Sequence, residues 1–432
     1  MASPRTEQIY PAIFMPGHTE FRLNMAPGYR NLRLANLGAV AIGAPALYTD
    51  AAGVYSLLSR VALYDGGTLL DEVVDVYAWM AFQSLRRAGP GRDSGLDYSL
   101  FTPLTGSSRS YGLTPDGQSI AHISTRNGGV ATTDSATTAK GWLAIDALLS
   151  FVQRAGTLDT RAFTALRLVV EFRTDPTVLF AGANAAITGV SILVPVLLAE
   201  RMDADALAAS PAASVVGYNR ILTERVSITG GVVGAPPNMT PQTAAVRLLA
   251  PLGRVINRMV CAPVRADAAS NAEAIVDSLK DGSAEVYDGE VWQFSVNGEN
   301  LLPYAGADTW ARKTHLLWQA WGDLHVPQGG AYQGWTNAAP AVNSLAGLYE
   351  ASQILDAAGG AAGVASHGPL VGQQGYAGFV IGRRVSDLQL RYSRQLTTRR
   401  AGGATMRFFY ECPAVVSGIS HKAPAGYTVA FA

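Results

Sequence analysis

The feature that most constrains this chain is an ordered internal recurrence. Residues 59–72 read SRVALYDGGTLLDE: an alternating apolar run, a glycine-bearing turn and a Leu-Leu pair. Residues 290–304, EVWQFSVNGENLLPY, restate it with the turn at Asn297-Gly298, and the two Leu-Leu pairs lie 232 positions apart. Tight Gly turns between apolar runs signal hairpins. After each hairpin the spacing becomes helical. Residues 75–87 place Val76, Trp79, Met80 and Leu85 near one face and end in two arginines, which suit a helix C-terminus. Residues 307–321 follow suit, with Trp310 within one position of the place Trp79 predicts. The closing strands recur too: ALRLVVEF (165–172) as VSDLQLRY (385–392), and the strand carrying Pro195 as MRFFYECPAV (406–415). Each half thus runs through strands, a hairpin, one helix, a long loop and closing strands, in the same order.

Two β-rich units follow. A chain of 432 residues exceeds the size at which one hydrophobic core stops growing. Only 15% of its residues are charged, against about 25% in ordinary soluble domains, and 45 glycines and 22 prolines supply turns. We place an extended arm with short strands at residues 1–27, a first unit at 28–205 and a second at 206–432. The small, polar stretch 201–216 is the connection. Residues 34–47 read as a strand pair, 142–151 as a strand or short helix, 163–172 as a strand, and 187–198 as another, with Pro195 at an edge or bulge. In the second unit 225–233 and 246–264 read as strands, 235–243 as a loop and 271–279 as a short helix. The stretches 88–140 and 323–379 lack periodicity and read as long loops. Residues 177–199 are uncharged and long enough to cross a bilayer, but Asn184, Thr188, Ser191, Pro195 and two glycines make them two buried strands joined by a turn. The N-terminus lacks the basic region and apolar run of a signal peptide.

The repeated scheme, with SRVALYDGGTLLDE, a helix and long loop, then FTALRLVVEFR, resembles the double jelly-roll major capsid proteins of tailless icosahedral viruses. That group includes adenovirus hexon-like and membrane-containing bacteriophage coat proteins. The resemblance covers nearly the whole chain as architecture and pattern, without a diagnostic motif. It implies an all-β fold with a few short helices: two tandem eight-stranded jelly-roll sandwiches, with long loops forming towers or subunit contacts. It also implies a homotrimer that acts as a pseudo-hexagonal capsomer and tiles a virion shell around the genome. The implied partners are further copies of the chain, neighbouring capsomers, penton or minor capsid proteins, and an internal membrane reached by the arm. Synthesis would be in the host cytoplasm.

The residues point to no enzyme. There is no phosphate-cradling GxxxxGK[ST], and GGVVG at 230–234 lacks dinucleotide spacing; HExxH, GxSxG and CxxC are also missing. The six histidines (His18, His122, His315, His325, His367, His421) are scattered, so no catalytic, cofactor or metal site is expected. Asp203 and Asp205 read as solvated linker carboxylates. Cys261 and Cys412 read as buried free thiols. Lys plus Arg balances Asp plus Glu at 33 each, and Arg86-Arg87, Arg383-Arg384 and Arg399-Arg400 are short and separated, which argues against sequence-specific nucleic-acid binding. The alternative is a β-sandwich carbohydrate-binding protein or glycoside hydrolase, such as a phage receptor-binding or depolymerising protein. It would need a carboxylate pair drawn from Asp146, Asp159 and Glu171. It would also need an aromatic platform from Trp292, Trp310, Trp318, Trp321 and Trp335, which read first as packing groups. The sequon at Asn238 carries no weight without a secretory route.

Overall fold

The computed structural model describes residues 5–43, 57–79, 141–179, 187–209, 212–228, 242–265, 290–302, 310–321, 377–394, 404–424 and 426–431, with 46–47, 82, 130–131 and 306. The first half holds β1 (Arg5–Ile9), β2 (Ile13–Met15), β3 (His18–Arg22), β4 (Gly28–Leu37), β5 (Ala39–Ile42), β6 (Ala46–Leu47) and β7 (Leu58–Asp65). It continues with β8 (Thr68–Val74), β9 (Val130–Ala131), β10 (Gly141–Ala144), β11 (Thr157–Asp159), β12 (Leu166–Phe172), β13 (Gly189–Ile192) and β14 (Val196–Met202). The second half holds β15 (Val215–Ile228), β16 (Gln242–Arg247), β17 (Val255–Arg265), β18 (Glu290–Val296) and β19 (Glu299–Asn300). After these come β20 (Ala377–Arg384), β21 (Leu388–Arg394), β22 (Ala404–Ser417) and β23 (Thr428–Phe431).

The main sheets of the first half run β1-β14-β4-β10, with β11 on β4, and β2-β3-β12-β7-β8. Those of the second run β15-β22-β17-β20, with β23 on β22, and β16-β21-β18-β19. With β2, β5, β6, β9, β11 and β13 set aside, the eight remaining strands of the first half lie in the orders one-eight-three-six and two-seven-four-five. The second half has the same two orders in β15 to β22. That winding is the jelly roll, and it occurs twice.

The alternation of apolar residues decides which faces meet. On β12, Leu166, Leu168, Val170 and Phe172 point into the first core, while Arg167 and Glu171 pair outward with Glu20 and Arg60. On β18, Trp292, Phe294 and Val296 fill the second core beside Tyr392, Phe379 and Phe408. Each such large side chain contributes roughly 1.5–3 kcal/mol by leaving water. The β18–β19 hairpin turns at Asn297 and Gly298, both at positive φ (54° and 85°), as a two-residue turn with matching twist requires.

β22 breaks the alternation, because Met406 to Cys412 are all buried. Met406, Phe408, Tyr410 and Cys412 enter the second core, whereas Arg407, Phe409 and Glu411 lie on the other face and meet groups outside that core. A strand buried on both faces reads as a continuous run. Beyond it the chain returns to the first half, where Tyr427 packs edge-on against Phe163 and donates to Asp65 Oδ2 at 2.8 Å.

Several expectations change. Residues 5–22, read as part of an arm, are the first strands of the first jelly roll: β1 pairs with β14 and β3 with β12, because Ile9, Phe21 and Leu23 are core residues. Residues 1–4, the start of that expected arm, lie outside the described residues. The stretch 177–199 starts in the helix Pro176–Leu179 rather than a strand, and β13 and β14 follow on either side of the break holding Pro195. Residues 142–151 contain both alternatives, since β10 leads through a 3-10 turn into the helix Ser150–Ala155. The connection at 201–216 includes the helix Ala204–Ala209. The expected loop 88–140 lies outside the described residues apart from β9, and so do 271–279 and nearly all of 323–379.

The second-half helix, Trp310–Trp321, lies against β20, where Gly378 leaves room for it. A Cβ at Gly378 would sit 3.1 Å from Leu317 Cα and closer still to Leu317 Cδ1. Gly378→Ala should therefore destabilise by about 1–3 kcal/mol through overpacking. A urea midpoint equal to wild type would show that the helix can lift away without cost.

Candidate assembly surfaces and the joint between the halves

The halves meet along two sheet edges. β8 is the outer strand of its sheet and β15 the outer strand of its own, and an open edge is a ready site for further pairing. Here side chains seal the pair. Tyr218 donates to Leu70 O, and Thr223 Oγ1 donates to Val74 O at 3.2 Å, so β15 side chains satisfy edge carbonyls of β8. Arg220 pairs with Glu72, which Arg60 also holds at 2.9 Å. Arg225 Nε donates to Asp75 Oδ2 at 2.8 Å, and Arg407 Nε lies 3.3 Å from the same oxygen.

Asp75 has a second task. At φ 56° it takes the left-handed conformation that Asp tolerates, and its carbonyl accepts from the amides of Ala78 and Trp79, which starts the helix at residues 76–79. That helix sets Trp79 among Phe409 (5.3 Å between centroids), Trp321 (5.6 Å) and Phe82 (5.7 Å). The guanidinium of Arg258 covers Trp321 at 4.0 Å and pairs with Glu411. Trp321 thus brings the second-half helix onto Trp79, while the side chain of Trp310, the repeat counterpart of Trp79, lies outside the described residues.

Asp71 lies beneath this joint, accepting at 2.9 Å from the backbone N–H groups of Phe151 and Glu72. Burial pushes its carboxyl up to about 7, against those two hydrogen bonds and the Arg220 charge. The folded pKa lies above the unfolded value of about 4, so the folded chain holds this proton through that window. Its contribution to stability is complete below pH 4, falls as pH rises towards 7 and is then lost, at most about 1.4 kcal/mol per pH unit. Asp71→Asn removes this slope. Wild type should lose stability relative to the variant between pH 5 and pH 8 in urea titrations; parallel profiles would contradict the assignment.

The other candidate residues do not form a reaction centre. Asp146 lies on the 3-10 turn after β10, while Asp159 binds Arg161 at 2.8 Å and Glu171 binds Arg60 at 2.9 Å. Burial works against the Asp159 charge, but the Arg161 guanidinium and amide hold its carboxyl below the ordinary carboxylate range. Asp203 accepts from the amide of Ala206 as a helix cap, and Asp205 lies in the first turn of that helix. Trp292 is fully buried in the second core. The side chains of Trp310 and Trp318, and all of Trp335, lie outside the described residues. Cys261 and Cys412 are both buried and not joined in a disulfide, and burial pushes the Cys412 thiol up to about 12. His18 is on β3, His315 on the helix at 310–321, and His421 lies 3.9 Å from Asp159. Arg383 pairs with Glu299. Among the described residues no three His, Cys, Asp or Glu side chains are grouped to hold a metal, and no helix is long and apolar enough to cross a membrane. A groove of about 610 Å³ on the second half runs between Thr243, Val291, Gln293, Asn300 and Arg391. Its polar groups converge on no catalytic pair.

The two windings, joined edge to edge, define the double jelly-roll class. Solved structures share this fold. A chain of the Sputnik virophage structure superposes with a TM-score of 0.54 at 11% identity, covering 100% of this chain and 88% of that one. The mavirus major capsid protein gives 0.51 at 10%, covering 100% and 90%, and the Faustovirus major capsid protein 0.50 at 9%, covering 96% and 90%. No protein-family profile matches the sequence, and neither does any curated protein. At such identities the likeness is one of fold, spanning both halves of the chain.

Proposed function

We propose that this chain is a major capsid protein of an icosahedral virus, assembling as trimers into pseudo-hexagonal capsomers of the virion shell. The observation that carries the reading is the repeated eight-strand winding within one chain. Two similar units per chain let a trimer present six similar walls, so one kind of subunit can pack on a near-hexagonal lattice. The low charge supports it, because interface cores are depleted in charged residues. The division falls near residue 205, with strands of the first roll before it and strands of the second after it. Neighbouring capsomers and penton or minor capsid proteins are the remaining partners, and the chain works without a cofactor.

Light scattering on the purified protein, followed by negative-stain imaging, tests this. Particles of three times 45.4 kDa with hexagonal outlines, or closed shells, are expected. A chain that stays monomeric on concentration overturns the reading.

A further inference from the structure

Asp71 sits where three elements meet. On β8 it stands opposite the core residue Leu63 of β7 and is 1% exposed. The helix Ser150–Ala155 brings the amide of Phe151 to its Oδ2. β15 grips the residues around it: Tyr218 donates to the carbonyl of Leu70 and meets the Phe151 ring edge-on at 5.5 Å, while Arg220 pairs with Glu72. The amide of Asn219 adds a bond to Ser150 Oγ at 3.4 Å. Both neighbours of Asp71 in β8, and the helix residue bonded to it, are therefore held by the other half.

The charges around Asp71 leave it without a counter-ion. Glu72 follows it in β8, and both arginines within reach, Arg220 of β15 and Arg60 of β7, pair with that Glu72. Phe431 of β23 covers the Arg220 guanidinium at 4.9 Å. The Tyr218 phenol stays neutral, since burial and then the Asp71 charge push it well above its ordinary value. The helix holds one charged residue, Arg154, which is exposed. Among the described residues Asp71 joins no ion pair, so as an anion it is a buried charge held by two backbone N–H groups alone.

We propose that Asp71 is a proton-operated latch: with its proton it seals the contact among β8, the helix Ser150–Ala155 and β15, and loss of that proton to solvent loosens this end of the joint. A neutral carboxyl needs no counter-ion. An ionised one is relieved by water, which reaches it when Tyr218 parts from Leu70 O and Phe151 from Oδ2, a local opening short of unfolding. The open form ionises at the ordinary carboxylate value of about 4, and burial holds the closed form at about 7. The open fraction is thus smallest below pH 4, rises by up to about tenfold per pH unit towards pH 7 and is level above it. At the far end of the joint Asp75 keeps Arg225 and Arg407 as counter-charges, and that end stays closed.

Hydrogen–deuterium exchange of the full chain, read by mass spectrometry from pH 5 to pH 8 and corrected for intrinsic amide exchange, tests the latch. Between pH 5 and pH 7 the opening constant of residues 148–156 should rise by up to about a hundredfold. Low urea should not change it, because a local opening exposes little surface, whereas exchange of residues 290–296 in the second core should follow urea. In Asp71→Asn the rise at 148–156 should vanish. A level opening constant in wild type overturns the latch. So does exchange at 148–156 with the rate and urea dependence of 290–296, which is unfolding of the whole chain and leaves the stability slope intact. An Asp71→Asn chain that keeps the rise places the titration elsewhere and overturns it too. If Asp71→Asn melts without cooperativity, Tyr218→Phe takes its place: it spares Asp71 and weakens the seal, so 148–156 should open further at every pH with the same rise, and wild-type protection there would overturn the latch.

Discussion

Asp75→Ala should cost about 3–5 kcal/mol of stability, among the largest losses available to a single substitution in this chain. The carboxylate is fully buried and faces two arginines of the other half, of which Arg407 is only 2% exposed. Its removal strips a counter-charge from a guanidinium that cannot reach bulk water, and the penalty is the desolvation of that cation rather than the worth of one ion pair. The asymmetry gives the test its edge. Asp75→Ala combined with Arg407→Met should recover much of the loss, because the buried charge goes as well. Urea midpoints of the two single variants and the double one check this. A loss in Asp75→Ala below about 1 kcal/mol would show that water reaches Arg407.

Trp79→Ala should cost a similar amount, about 3–5 kcal/mol, by opening a cavity between Phe409, Trp321 and Phe82. The loss should also change the shape of unfolding. These rings come from both halves, so without Trp79 the halves lose much of what couples them, and calorimetry should resolve two transitions where wild type shows one. Trp292→Ala is the control, since it removes an equal volume from within the second core. It should lower stability without splitting the transition. One unsplit transition at the wild-type midpoint in Trp79→Ala would show that the aromatic cluster does not carry the coupling.

What could be read from the residues followed what is local. The hairpins β7–β8 and β18–β19 were legible because each carries its own turn and Leu-Leu pair, and the helices after them because Val76, Trp79 and Met80 sit in helical spacing and Trp79 recurs as Trp310. The first strands were not. In β1 the single fully buried side chain is Ile9, and in β2 the apolar residues Ile13, Phe14 and Met15 all face outward, so neither shows the alternation of a half-buried strand. The joint was hidden for another reason. Asp71, Glu72 and Asp75 lie in or beside the repeated segment, yet nothing local ties Asp75 to Arg225, 150 positions away. The arginines that occupy Asp159 and Glu171 became visible with the fold.

The two-sided burial of β22 has a mechanical consequence. One row of its side chains belongs to the second core, and the other meets the seam through Arg407, Phe409 and Glu411, so a force separating the halves is carried straight into a central strand. A flexible linker would absorb such a load, but this strand cannot yield without unpacking its own sandwich. Each chain should therefore behave as a stiff tile. Any bending of a lattice made from such tiles has to come from the contacts between chains.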